Sequence, residues 1–185
     1  LEIDMTLSRR TFLKGGTAAL AFTGMATGAG AQESRLQAHI ANSVNSFNQV
    51  IRHSSVSNTL IKTLEFTLSN RQAFPDDRLA ASGVLGTLQT IKDGRFNQLN
   101  QNEQLDVMRC TLQNTAGFLN YAYNVAKGRD NAAGTAQTRN EVRAMRQNYN
   151  IIRGANNALD PFFRGRSETC ASVWGRTIGN VRYTP

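Results

Sequence analysis

Leu105-Asp106-Val107-Met108-Arg109-Cys110-Thr111-Leu112-Gln113-Asn114-Thr115-Ala116-Gly117-Phe118-Leu119-Asn120-Tyr121-Ala122-Tyr123-Asn124-Val125-Ala126 decides the fold class of this chain. Leu105, Met108, Leu112, Ala116, Leu119, Tyr123 and Ala126 recur every three or four residues, over about six turns, which is the period of a helix with one face on a core. Lys127 then falls where the helix dipole favours a cation, and Gly128 reads as a C-terminal cap.

The same period extends in both directions. Leu36, Ile40, Val44, Phe47 and Ile51 mark a helix from Ser34 to His53. Ser54-Ser55 interrupts it, and Val56, Leu60, Ile61, Leu64 and Leu68 resume the period to Asn70, either as a kinked continuation or as a separate helix capped by Ser57 or Asn58. Phe74-Pro75 marks the next boundary, with Asp76 as a candidate cap. A third helix from Asp77 to Lys92 carries Leu79, Val84, Leu85, Leu88 and Ile91, and Asp93-Gly94 ends it. Its Gly83 and Gly86 each cost about 1 kcal/mol of helix propensity unless a neighbour packs close against them.

Arg95 to Asn102 reads as a polar connection, and residues 129–138 read as a loop. Asn140 is a candidate cap for a fifth helix over Glu141 to Arg153, with Val142, Met145, Tyr149 and Ile152 on one face. Asp160-Pro161 breaks that pattern. The remaining tail offers a short helical turn from Glu168 to Trp174. The chain is therefore expected to be all-α, an antiparallel bundle of four to five helices over residues 32–160, with an irregular C-terminal strap over residues 161–185 packed on it.

Near the N-terminus, Ser8-Arg9-Arg10-Thr11-Phe12-Leu13-Lys14 is similar, residue for residue, to the Ser-Arg-Arg-x-Phe-Leu-Lys consensus of twin-arginine (Tat) signal peptides. Gly15 to Ala31 is mildly apolar and rich in Ala, Gly and Thr, and Ala29-Gly30-Ala31 resembles the A-x-A cleavage site of exported proteins. The resemblance covers residues 1–31. It implies export in a folded state to the periplasm, followed either by release after Ala31 or by retention of the leader as an anchor. It also implies cargo that carries a cofactor, or a companion exported with such cargo.

Without residues 1–31 the chain has 154 residues, enough for one domain with its own core. Its 21 Lys and Arg against 13 Asp and Glu give a net charge of +8. Setting aside Arg9, Arg10, Lys14, Glu2 and Asp4 leaves 18 against 11. Such a surface attracts anionic lipid headgroups, acidic polymers or an acidic protein face, with a strength that falls with salt.

Cys110 and Cys170 are the only cysteines. Export permits a disulfide, and pairing is the preferred reading over two separate buried thiols. A bridge across that separation is worth about 4 kcal/mol in the chain-entropy model and would tie the tail to the body. Candidate chemistry is sparse. His39 and His53 are about 21 Å apart along an unbroken helix, too far to share an ion. The sequence has no Cys-x-x-Cys-His, no Glu-x-x-His pair, no Gly-x-Ser-x-Gly elbow and no phosphate-cradling loop, and Asp76-Asp77 suits capping better than acid–base work. We assign no catalytic, cofactor-binding or metal-ligating residue.

Aromatics and arginines offer an interface instead. Phe118 and Tyr123 fit a core, while Tyr121, Phe162, Phe163, Arg164, Arg166, Trp174 and Arg176 are candidates for a docking surface, because these residue types are enriched where proteins meet. Export argues against nucleic acid as the partner. The leading expectation is a non-catalytic accessory subunit docked on a larger redox or photosynthetic membrane complex at its periplasmic face. The alternatives are a free periplasmic binding protein for an anionic polymer, lipid or small ligand, and a cell-envelope enzyme.

Overall fold

The computed structural model describes residues 28–163, 165–179 and 181–184. The twin-arginine motif, including Arg9, Arg10, Phe12, Leu13 and Lys14, lies outside them, as does Arg164. The described residues are helical, with no strand among them.

Six α-helices follow in order: α1 (Gly28–Arg52), α2 (Ser54–Ser69), α3 (Pro75–Lys92), α4 (Gln101–Ala133), α5 (Ala136–Leu159) and α6 (Cys170–Thr177). Short 3₁₀ turns at Arg95–Gln98 and Asp160–Phe162 lie between α3 and α4 and after α5. The count exceeds the expected four to five because His53 alone separates α1 from α2 and because the tail holds a complete eight-residue helix. No helix among the described residues is long and apolar enough to cross a membrane.

Helix starts and stops correct several expectations. His53 adopts an extended backbone and its carbonyl accepts from Val56 and Ser57, so α2 begins at Ser54 without a Ser57 or Asn58 cap. Pro75 opens α3 as its first residue, where its missing N–H costs nothing, and Asp76 and Asp77 sit in the first turn, complementing the dipole rather than capping. Helix α4 passes through Gly128 and stops at Gly134, whose φ of 59° is the left-handed conformation that glycine adopts without penalty. The supposed loop at 129–138 is thus mostly helix. A capping box between Thr135 and Thr138 starts α5 in place of Asn140, and one between Asn100 and Glu103 starts α4. Helix α1 begins six residues before Ser34 and takes in Ala29 and Ala31.

Leu68 of α2 and Leu79 of α3 are exposed, but most residues of the expected stripes meet in one core. Ile40 and Phe47 of α1, Leu60 and Leu64 of α2, Val84 and Leu85 of α3, Leu105, Met108, Leu112 and Leu119 of α4, and Met145 and Ile152 of α5 are all buried in it. Phe96, set in the stretch expected to be a polar connection, is buried too, and Gln104 donates to its carbonyl at 3.1 Å. Helix α4 packs on every other helix, most extensively on α5. Helix α1 lies against α5, and α2 against α3.

Candidate functional site

Two regions gather the residues expected to act. The first is the junction of the tail with α3 and α4. Cys110 and Cys170 form a disulfide, with Cα atoms 5.4 Å apart, so α6 begins covalently attached to α4. Asp106, one turn earlier on α4 and mostly buried, accepts from Arg166 at 2.7 Å and from Arg176 at 3.0 Å. Arg166 also reaches the side-chain oxygen of Asn102.

The same Nη2 of Arg176 also donates to Glu168 at 2.7 Å, and its Nε donates to the other Glu168 oxygen at 3.2 Å, making a fork. These bonds from Arg176, and a further one from the Ser172 hydroxyl, hold the Glu168 carboxyl down at about 2. The same carboxylate raises the Arg176 pKa. Phe163 lies under the Arg109 guanidinium, whose carbon is 4.1 Å from the ring centre, with Arg166 5.8 Å away.

Trp174 is buried against α3, where its ring covers Gly83, and Ile178 approaches Gly86. The two glycines expected to mark close packing therefore do so, with the tail as the neighbour. Beyond α6, Thr184 donates to Gln89 of α3 and accepts from Lys92.

Several residues expected at an interface are engaged within the chain. Trp174 is core, and Arg166 and Arg176 spend their hydrogen bonds on the chain's own carboxylates. Phe163 and Phe162 are partly buried, Phe162 stacking at a tilt on His39 with centroids 5.3 Å apart. The disulfide tethers the tail to the body, the condition on which it was expected to form an ordered strap.

The second region keeps one of the expected residues. Tyr121 stands 62 % exposed on α4, and Phe66 stands 67 % exposed on α2. Together with Thr63 they border two adjoining hollows of about 500 and 410 Å³ along the seam between these helices. Gly117, Phe118 and Ala80 line the larger hollow, and Lys62 and Arg129 flank the smaller. A Cβ at Gly117 would meet no other atom, so the glycine leaves room there. Large exposed aromatics beside a groove are the exception on a protein surface.

Sequence reading missed Phe66 because it lies off the apolar stripe of α2. That was also its signal: it sits two residues past Leu64, on the face the helical period assigns to solvent. No group of three or more His, Cys, Asp or Glu that could hold a metal ion occurs among the described residues. Comparison with protein-family models, with curated proteins and with solved structures finds no match to this chain.

Proposed function

We propose that this chain is a non-catalytic accessory subunit, exported by the twin-arginine route, that docks on a cofactor-containing redox or photosynthetic membrane complex at its periplasmic face. In this reading the helices form an antiparallel bundle, a stiff platform clamped by the tail. The groove between α2 and α4 is the docking face. The observation that carries the reading is the pair Phe66 and Tyr121, both large, both mostly exposed and both bordering the same hollows. Aromatic anchors at the centre of a concave patch supply most of the binding energy in protein interfaces. The leader supports the placement, since a companion of cofactor-bearing cargo needs no ligand set of its own.

Affinity isolation of the tagged full-length chain from its native membranes, after mild solubilisation, tests the reading. Recovery in stoichiometric amount with a membrane oxidoreductase or photosynthetic complex is expected. Gly117→Leu, which fills the groove without removing a contact, should abolish that recovery while leaving the helical circular-dichroism signal intact. Repeated isolation of the chain alone would refute the proposal.

A further inference from the structure

Helix α5 carries a second surface feature, unrelated to the groove. Arg139, Arg143, Arg146, Asn150, Arg153 and Asn157 follow one another at steps of four, three, four, three and four residues. At 3.6 residues per turn these steps place all six on one narrow face of the helix. Each of the six is exposed. The opposite face, with Met145, Asn148, Ile152 and Leu159, is buried in the core. Four guanidinium groups thus form a line about 21 Å long on a rigid support.

The line has no carboxylate in it. Glu141 is the single acidic residue of α5, and it lies on the other side of the helix, 3.4 Å from Arg129 of α4. Among the described residues, no salt bridge involves Arg139, Arg143, Arg146 or Arg153. The exposed face of α5 therefore carries a row of positive charge.

We infer that the arginine line of α5 lays the protein against an anionic bilayer surface and binds the phosphate groups of acidic phospholipids. Charge complementarity gives the sign of the partner. Shape and composition select lipid over an acidic protein: the line has no aromatic or large aliphatic side chain to anchor a protein interface, and none of the exposed large hydrophobic residues lies on α5. A plane of headgroups needs no such anchor, and a straight row can touch it along its whole length. Each basic side chain near such a surface strengthens binding about fivefold. The inference deepens the proposed function and rests on its placement of the protein at the membrane, but it is measured by a different experiment.

The test is sedimentation of the full chain with vesicles of phosphatidylglycerol in phosphatidylcholine, and with vesicles of phosphatidylcholine alone, at low and high salt. Binding to the acidic vesicles, weakened by salt and absent with pure phosphatidylcholine, is expected. Arg143→Gln/Arg146→Gln/Arg153→Gln should lower it about a hundredfold. Removing the same charge elsewhere, by Arg71→Gln/Arg78→Gln/Arg182→Gln, should lower it far less, with both variants keeping the wild-type circular-dichroism spectrum. Equal losses in the two variants, no loss in either, or equal binding to both vesicle types would overturn the inference. So would capture of poly-L-glutamate without capture of acidic vesicles, which would assign the line to an acidic protein. Loss of the groove-dependent complex leaves all these vesicle readings unaffected.

Discussion

The ring of Trp174 lies directly on the backbone of Gly83, so that a Cβ added to the glycine would fall inside the indole. This contact explains a glycine in the middle of α3, where helix propensity alone disfavours it by about 1 kcal/mol. Gly83→Ala should therefore lower stability by about 1–3 kcal/mol, because a displaced indole costs more than the propensity returns. Trp174 is the only tryptophan in the chain, so its fluorescence reports the event directly. A red shift of emission in the variant is expected, together with an earlier denaturation midpoint.

Gly154 of α5 is the converse case. It is exposed, helical, and a Cβ there would meet nothing within 4 Å. Gly154→Ala should raise stability by about 0.5–1 kcal/mol, read as a later midpoint in urea with unchanged slope.

The disulfide at its first residue and the tryptophan at its middle both hold α6. Cys110→Ser/Cys170→Ser removes a cross-link between residues 60 apart and should cost about 4 kcal/mol in the chain-entropy model. Trp174 and the two arginines on Asp106 remain, so the native tail should stay docked and its fluorescence should be unchanged before unfolding begins. Chemical denaturation with and without reductant separates the two effects.

The helical stripes were legible because each element turns one apolar face inward: Ile40 and Phe47, Leu60 and Leu64, and Leu105, Met108, Leu112 and Leu119 are buried as their spacing requires. What escaped was set by single contacts rather than by period. Residues 129–133 lack an apolar stripe, yet α4 continues through them to the left-handed Gly134, and Thr138 bonds back to Asp130 across the turn. Phe96 is an isolated aromatic among polar residues, so no pattern announced its burial. The arginines of the tail were legible as a cluster, but their partners were not, because Asp106 lies 60 residues from Arg166 and 70 from Arg176. Long-range pairing of charges has no periodic signature.

Asp106 is therefore the residue on which the strap's polar contacts converge. Asp106→Ala leaves Arg166 and Arg176 without their common acceptor and should cost about 2 kcal/mol, less than a fully buried pair because both arginines are partly in water. In a double-mutant cycle, Arg166→Ala and Asp106→Ala should be clearly less than additive. Equal costs summed without coupling would show that the pair contributes nothing.

Acid should loosen the strap through Glu168. Its carboxyl titrates at about 2 in the folded chain against an ordinary value of 4.5, because Arg176 and Ser172 donate to the charged form. A folded pKa below the unfolded one means that the ionised carboxylate stabilises the fold at every pH above 4.5. That contribution shrinks as the pH falls from 4.5 and is gone once it passes below about 2. Full exposure to solvent keeps the contribution small and sensitive to salt. Glu168→Gln should therefore lower the denaturation midpoint at pH 7, and the gap from wild type should close progressively between pH 4.5 and pH 2. A gap constant across that range would place the effect of the substitution in helix α6 rather than in the ion pair.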